Sequence, residues 1–265
     1  MPSRMSLVRY WPRKIKIVLL ILVTMIISNL DGSNRIINTH SISGNAGLIM
    51  IPSGYVPNEK NLSLGVHYIP KRYAFVRGPQ HGEKAIFFDV SFFPFLEITG
   101  KITRPDNIDT NPLGIGERSI NFRIRLLEER RYYPSVTVGA HDVLTATNNR
   151  FSSAPYIVAS KELNSIVKLP IYVHLGYGAN WDKLGIHTKW TSKSYPYLCG
   201  FFYGMNYTIK NINFMLEYDT NRINFGMSLL FCKKVRLYLS TLGFQAGSFG
   251  ISYSFILGEN IFTSH

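Results

Sequence analysis

The chain contains only two cysteines, Cys199 and Cys232, and no apolar run long enough for a helix to cross a membrane. Two thiols exclude a disulfide-framework scaffold. A spanning helix needs about 20 apolar residues, whereas the uninterrupted run from 17 to 27 is shorter and later runs are broken by charge, proline or glycine. The seven histidines show no zinc-ligand spacing. We therefore expect no spanning helix, no metal site and no cofactor.

Basic residues precede the apolar run at the N-terminus. Five of them lie between positions 4 and 16, and the combination of a basic region with a short apolar region is typical of a secretory signal peptide. We assign residues 1–32 to this signal. No Ala-x-Ala site follows the run, so an uncleaved anchor stays open as an alternative.

The clearest pattern in the chain is a strict alternation of apolar and polar residues. From Ser119 to Leu126, Ile120, Phe122 and Ile124 alternate with Asn121 and Arg123. Side chains of a strand point alternately to its two faces, so such a strand has one apolar and one charged face. The same alternation predicts twelve strands: 61–69, 85–93, 95–104, 118–128, 134–143, 156–163, 168–178, 197–209, 212–219, 223–232, 235–243 and 247–256.

Two architectures remove the apolar faces of such strands from water. A soluble sandwich packs these faces between two sheets, and a membrane barrel turns them toward lipid. Tyrosines and phenylalanines at strand ends, such as Tyr133 and Tyr177, resemble the aromatic girdles of membrane barrels. We therefore predict an all-β, antiparallel transmembrane β-barrel of about twelve strands. It occupies residues 61–256, after an N-terminal segment at 33–60 and before a C-terminal tail at 257–265.

Charged residues fall on the minority face of the predicted strands, which would line the interior of a barrel. Glu217 and Asp219 share a face, as paired carboxylates for acid–base chemistry do. We favour instead a role in which they balance Arg123 or Arg125 across a wet lumen. The predicted lumen-lining polar residues are Glu97, Lys101, Arg123, Arg125, Glu217 and Asp219.

The formal net charge of +13 indicates anionic partners. For an exported barrel, these are outer-membrane lipid and lipopolysaccharide, with anionic polysaccharide or other envelope export components as further candidates. No nucleic-acid recognition motif is present, so nucleic acid is excluded as a partner. The alternative is that the surplus Lys and Arg residues lie in solvated loops.

Several short phrases, taken in order, resemble the YjbH-type outer-membrane β-barrel family associated with exopolysaccharide biosynthesis. Near the start, the phrase from Gly47 to Gly54 is similar to the family's opening Gly-Leu-x-x-x-Pro-Ser stretch. The phrases at 123–128, 133–142 and 151–161 are similar to its core block, and 216–219 to a later Glu-Tyr-Asp. The resemblance implies a short, single-barrel protein of the outer membrane of a Gram-negative bacterium, linked to export or modification of an extracellular polysaccharide.

Three functions are compatible with these observations. We favour a non-enzymatic barrel linked to export or assembly of extracellular polysaccharide. A small porin-like channel is the first alternative. A barrel hydrolase is the second, because His141 and Asp142 close to Ser152 and Ser153 could imitate a catalytic set. We interpret these four residues as strand-end and turn residues, and predict no catalytic residue.

Overall fold

Alternating apolar and polar residues form the strands of this protein, and the strands form one closed sheet. The computed structural model describes residues 39–57, 60–74, 81–106, 117–145, 154–164, 168–179 and 198–257. The strands are β1 (Asn61–Ile69), β2 (Glu83–Phe93), β3 (Leu96–Pro105), β4 (Glu117–Leu127), β5 (Ser135–Thr145), β6 (Ala154–Glu162), β7 (Ile171–Gly178), β8 (Gly200–Ile209), β9 (Ile212–Tyr218), β10 (Ile223–Phe231), β11 (Val235–Leu242) and β12 (Ala246–Ile256).

Each strand pairs antiparallel with the strands before and after it in sequence, and β1 pairs with β12 to close the barrel. The seam runs in continuous register from the Asn61–Ile256 pair to the Tyr68–Phe249 pair. Closure leaves no sheet edge, which is the condition for strands to cross a membrane. The predicted twelve-strand antiparallel barrel is confirmed.

The two faces of the sheet follow the predicted alternation. Leu64 and Phe88 are cross-strand neighbours on the outside, each about half exposed, whereas the adjacent pair, Ser63 and Asp89, is buried inside. The exposed apolar side chains lie on strands around the barrel and include Ile124, Ile157, Leu175, Phe201, Leu216, Phe225, Leu239 and Ile251.

Strand bounds differ from the predicted ones by up to three residues, for local reasons. β7 begins at Ile171 rather than 168, because Pro170 has no N–H to donate to a ladder. β8 begins at Gly200 rather than 197, because Leu198 adopts a left-handed conformation with φ of 52°. These residues belong to connections instead of strands.

The connections distinguish the two ends of the barrel. At the short-turn end, where the chain enters β1 and leaves β12, the strands are joined by residues 94–95, 128–134, 163–170, 210–211 and 232–234. At the long-loop end the connections are 70–82, 106–116, 146–153, 179–199, 219–222 and 243–245. A short 3₁₀ helix, Lys71–Tyr73, lies in the first of these.

The described residues contain no helix that is long and apolar enough to span a bilayer. The predicted signal peptide, the predicted C-terminal tail beyond 257 and all of residues 180–197 lie outside the described residues.

Candidate functional site: an N-terminal plug in the lumen

Residues 39–57, which precede the first strand, lie inside the barrel. We refer to them as the plug segment, and all of these residues are buried. The segment folds into two consecutive turns, closed by isolated bridges between His40 and Ala46 and between Gly47 and Pro52. The lumen, which we predicted to be wet, is therefore filled by the chain itself.

Apolar side chains of the plug segment form the core of the protein together with inward residues of the barrel wall. Leu48, Ile49 and Ile51 are almost completely buried. They belong to one cluster with wall residues from several strands, among them Ala85, Tyr156, Val158, Phe202, Met215 and Leu242. Burial of apolar surface stabilises the enclosed segment by about 25 cal/mol per Å².

Glu217, near the end of β9, holds the second turn of the plug segment. Its carboxylate accepts backbone N–H bonds from Ile49 at 2.9 Å, Met50 at 2.7 Å and Ile51 at 3.3 Å. The side-chain amide of Asn224 donates a further bond at 2.9 Å. One wall carboxylate thus satisfies three consecutive backbone donors that have left water, where an unpaired donor is costly.

Arg123 on β4 and Glu97 on β3 form the second anchor. Their side chains make an ion pair at 2.6 Å, with both groups buried. Glu97 also accepts the Ala46 N–H at 2.7 Å, and Arg123 donates to the carbonyls of Ala46, Ser53 and Tyr55. The planar guanidinium has five donors in a fixed arrangement, which suits it to bind several acceptors at once.

Gly54 is bound between β5 and β6. Its carbonyl accepts hydroxyl bonds from Ser135 at 2.6 Å and Thr137 at 2.7 Å, and its N–H donates to the Ser160 hydroxyl at 2.6 Å. Ser160 in turn bonds to His174 Nδ1 at 2.6 Å. A chain of buried polar groups therefore continues from the plug segment into the wall.

Two glycines of the 47–54 phrase have no room for a side chain. A Cβ on Gly47 would lie 2.3 Å from the Ile51 carbonyl oxygen, and one on Gly54 would lie 2.7 Å from the Ser135 carbonyl oxygen. Both obstacles are backbone atoms, which cannot rotate away. These contacts explain why glycine is needed at both ends of this phrase.

Tyr55 lies where the plug segment leaves the lumen at the short-turn end. Its hydroxyl donates to Glu129, which follows β4. Burial, together with the hydrogen bond to Glu129, raises the pKa of Tyr55, so the phenol keeps its proton at neutral pH. Tyr55 therefore remains a hydrogen-bond donor at this exit.

Five of the six residues predicted to line the lumen have three different surroundings, and Arg125 differs from all of them. Glu97, Arg123 and Glu217 bind the plug segment, as described above. Lys101 forms an ion pair with Asp142 at 3.5 Å. Asp219 accepts the N–H groups of Asn221 at 3.1 Å and Arg222 at 2.9 Å, and so orders the turn between β9 and β10.

Two expectations about these charges were wrong. Arg125 lies at the end of β4, partly exposed, and pairs with the exposed Glu128 at 3.6 Å. Glu217 does not balance Arg123 or Arg125, because Arg123 is bound to Glu97 and Glu217 binds plug backbone. A carboxylate can be satisfied by neutral N–H donors, so a charge on one strand does not require an opposite charge on another.

The buried charged side chains of the barrel are mostly acidic. Seven carboxylate residues and three cationic residues are buried in the described strands and turns: Glu83, Asp89, Glu97, Glu117, Asp142, Glu217 and Asp219, with Lys101, Arg123 and Arg236. In the part of the barrel that the structure describes, the basic surplus of the chain therefore does not line the lumen.

The residues of the hydrolase alternative do not form a catalytic set in the described part of the chain. His141 is 1% exposed and its ring stacks on Tyr156 with centroids 4.9 Å apart. Ser152 and Ser153 lie outside the described residues. The described residues also include no group of three or more His, Cys, Asp or Glu side chains arranged to hold a metal ion.

Sequence reasoning did not identify the plug. The signal was the run Leu48-Ile49-Met50-Ile51, which is apolar without alternation and lies between a glycine and a proline. A strand of this barrel would alternate, so an unbroken apolar run ahead of the first strand indicates a segment that is buried on all sides.

Residues 39–224 match the family described as "Exopolysaccharide biosynthesis protein YbjH". The chain belongs to the YjbH family. The match begins at the first described residue of the plug segment and ends within β10, so it includes the plug segment and its anchors Glu97, Arg123 and Glu217, but not β11 and β12. The family resemblance of the sequence phrases is confirmed.

Comparison with curated proteins gave no match. Among solved structures, this YjbH-family chain is similar to a KdgM porin, with 12% identity, a TM-score of 0.45 and coverage of 74% of this chain and 99% of that chain. A NanC porin is 11% identical, with a TM-score of 0.43 and coverage of 74% of this chain and 98% of that chain. Outer membrane phospholipase A from Escherichia coli is 10% identical, with a TM-score of 0.34 and coverage of 76% of this chain and 96% of that chain. At TM-scores below 0.5, these similarities carry no information on function.

Proposed function

We propose that this YjbH-family protein is a non-enzymatic barrel of the Gram-negative outer membrane that serves export or assembly of an extracellular polysaccharide as a structural component, not as the conduit. The observation that carries the proposal is the plug segment, which fills the lumen and is bound by Glu97, Arg123 and Glu217. Family membership supplies the link to polysaccharide.

The outer-membrane location is supported by the shape of the barrel. Its outer surface is apolar and its connections are short at one end and longer at the other. Outer-membrane barrels have short periplasmic turns and longer extracellular loops. We therefore place the short-turn end in the periplasm, so that the plug segment enters the lumen from that side.

The non-enzymatic role is supported by the burial of the polar groups that could carry catalysis. His141 is enclosed, and the hydrogen-bonded pair of Ser160 and His174 is buried, with the serine hydroxyl bound to Gly54. A nucleophile must reach its substrate. In the plugged state neither histidine is accessible to a lipid or a sugar chain.

Passage of a polymer through the lumen is disfavoured by both space and charge. Residues 39–57, which are all buried, occupy the interior of this twelve-strand barrel and leave no open path for a polymer along the described part of the lumen. The predominance of buried carboxylates would in addition repel an acidic chain. The polysaccharide therefore meets the outside of this barrel or its partners.

Conductance in planar bilayers tests the closed state. We expect wild-type protein to insert without a stable conductance, and Glu217→Ala to open frequently, because the second turn of the plug loses its acceptor. The matched control is Asp219→Asn, which changes a buried carboxylate two residues away that binds the N–H groups of the β9–β10 turn and, like Glu217, the Asn224 amide. Among the described residues, it accepts no hydrogen bond from the plug segment. A steady wild-type conductance that Glu217→Ala leaves unchanged would contradict the proposal and favour the porin-like channel.

Polysaccharide secretion tests the role in the cell. In a strain that lacks this protein, we expect secretion to fall and to be restored by wild-type protein. The Asp219→Asn variant should restore it equally. Normal secretion in the absence of the protein would remove the link to export.

A further inference from the structure

Basic side chains occupy four of the five connections at the short-turn end and the residue before β1. Lys60 precedes β1, two arginines follow β4, Lys168 precedes β7, Lys210 follows β8 and two lysines precede β11. Because these connections are distributed around the barrel, they form a ring that we call the basic rim: Lys60, Arg130, Arg131, Lys168, Lys210, Lys233 and Lys234.

Four of these lysines have a left-handed backbone. The φ angles are 60° at Lys60, 54° at Lys168, 52° at Lys210 and 59° at Lys233. Glycine and asparagine adopt this conformation readily, whereas a longer side chain is strained in it. In the described part of the short-turn end, the one other non-glycine residue with positive φ is Cys232.

The long-loop end differs in this respect. The described non-glycine residues with positive φ in its connections are Leu198, Thr220 and Phe244, and all three are uncharged; Asp142, with φ of 47°, lies within β5 and not in a connection. A shared requirement of tight turns therefore does not account for lysine at these positions. Backbone strain that persists at repeated positions points to a function of the strained residues.

The four strained lysines are exposed and lack a carboxylate partner within the described part of the chain. Neighbouring cations of the same end are different: Arg125 pairs with Glu128, and Lys161 pairs with Glu129 at 2.8 Å. The charge of these four lysines is therefore available to an anionic group outside the protein.

Exposed aromatic side chains lie next to the rim. Phe92, Phe93 and Phe95 flank the β2–β3 turn, and Tyr132 and Tyr133 lie in the β4–β5 connection. Each of these five side chains is about half exposed or more. Aromatic side chains of membrane proteins collect at the level of the lipid headgroups. If these aromatic side chains mark the headgroup level, the basic residues next to them are within reach of the lipid phosphates.

We infer that the basic rim binds the phosphate groups of anionic phospholipids in the leaflet that surrounds the short-turn end. The inference rests on the membrane location in the proposed function. Lipid fits better than an acidic polymer, because the cations are spaced around the circumference of the short-turn end instead of clustered at one position, and the lumen they surround is plugged and has mostly acidic buried charges. Anionic lipids attract basic residues close to the membrane surface.

The test uses full-length protein in nanodiscs of phosphatidylcholine, with and without phosphatidylglycerol. In a rim variant, Lys60, Lys168, Lys210 and Lys233 are each replaced by asparagine. We expect phosphatidylglycerol to raise the unfolding temperature of wild type and not of the rim variant. Affinity for phosphatidylglycerol, measured by native mass spectrometry, should fall at least roughly tenfold, since each basic residue near a membrane surface contributes several-fold to binding.

Two control variants test whether the lipid response depends on charge at the rim and not on charge elsewhere, and a stability measurement tests for misfolding. Replacing Lys71, Arg72, Arg104 and Arg118 by glutamine removes four exposed charges from the long-loop end and should leave the lipid response intact. Replacing the four rim lysines by arginine should also preserve it. In phosphatidylcholine alone, the asparagine variant should be at least as heat-stable as wild type, because asparagine tolerates the left-handed backbone.

An equal response to phosphatidylglycerol in wild type and the rim variant would overturn the inference. So would a rim variant that keeps the lipid response and loses binding of soluble polygalacturonate, a result that would assign the rim to an acidic polysaccharide. Among the described residues, no hydrogen bond or ion pair joins the four replaced lysines to the plug segment, so the rim variant should remain non-conducting. Failure of this inference is thereby distinguishable from failure of the proposed closed state.

Discussion

The carboxylate of Glu217 accepts the backbone N–H of Met50 at 2.7 Å, although the two residues are 167 positions apart in sequence. The same carboxylate binds the flanking N–H groups of Ile49 and Ile51. Since the contact is to backbone, it recognises the shape of the turn and not the side chains that the turn presents. The wall of the barrel is therefore built around a folded segment of defined conformation.

Replacing Glu217 by alanine should weaken that turn selectively. Three backbone donors lose their acceptor, and each buried unsatisfied group costs about 1–3 kcal/mol. We expect faster amide hydrogen exchange at Ile49, Met50 and Ile51 than in wild type, measured by mass spectrometry of protein in detergent. Asp219→Asn is the control and should leave exchange in this turn unchanged, since Asp219 binds the next turn of the wall.

Arg123 and Arg125 lie two residues apart on β4 and should respond very differently to replacement by methionine. Arg123→Met leaves Glu97 as a buried charge without its partner, which costs about 3–5 kcal/mol. Arg125 pairs with an exposed glutamate, and such surface pairs contribute about 0–1 kcal/mol. Urea unfolding in lipid vesicles should give a much lower free energy of unfolding for Arg123→Met alone. Equal losses in the two variants would contradict the buried-anchor role.

A methyl group at Gly54 should disturb the plug, because its Cβ would press on the backbone of both β5 and β6. Gly54→Ala should lower the temperature at which the protein changes from the folded to the unfolded band in gel electrophoresis. It should also expose the N-terminal segment to protease. Gly247→Ala is the matched control, since a Cβ there meets no atom within 4 Å. A stable, protease-resistant Gly54→Ala protein would show that this close approach is not required.

The two cysteines report on the orientation of the barrel. Cys199 precedes β8 at the long-loop end, and the exposed Cys232 follows β10 at the short-turn end. In single-cysteine variants, Cys199→Ser and Cys232→Ser, a bulky polyethylene-glycol maleimide should label Cys199 in intact cells. Cys232 should react after the outer membrane is permeabilised. Labelling of Cys232 in intact cells would place the short-turn end outside the cell.

The sequence allowed the wall of this protein to be predicted, but not its interior. In a strand with alternation, such as the one around Phe122 and Arg123, neighbouring residues are enough to identify the inward and outward faces. Twelve such strands in series form the closed antiparallel sheet. What an inward charge binds is decided by groups far away in sequence. Glu217 was expected to face an arginine, and the protein instead gives it three N–H donors from the plug segment.

Segment 39–57 has no period that identifies it as a wall or a core element, because its conformation depends on contacts with many strands. His40 hydrogen-bonds to Tyr238 of β11, Asn121 of β4 donates to Ser43, and Gly54 is held by β5 and β6. Each of these partners is an ordinary polar residue of an inward face. Only the folded barrel brings them to one place.

The seam between β1 and β12 sets the order in which this molecule can be assembled. The sheet is an open ribbon until β12 pairs with β1, and in the closed barrel the plug segment packs against side chains from many strands. We therefore expect the plug segment to be in place before the barrel closes. The ribbon curls around this segment, and the pairing of β12 with β1 then encloses it.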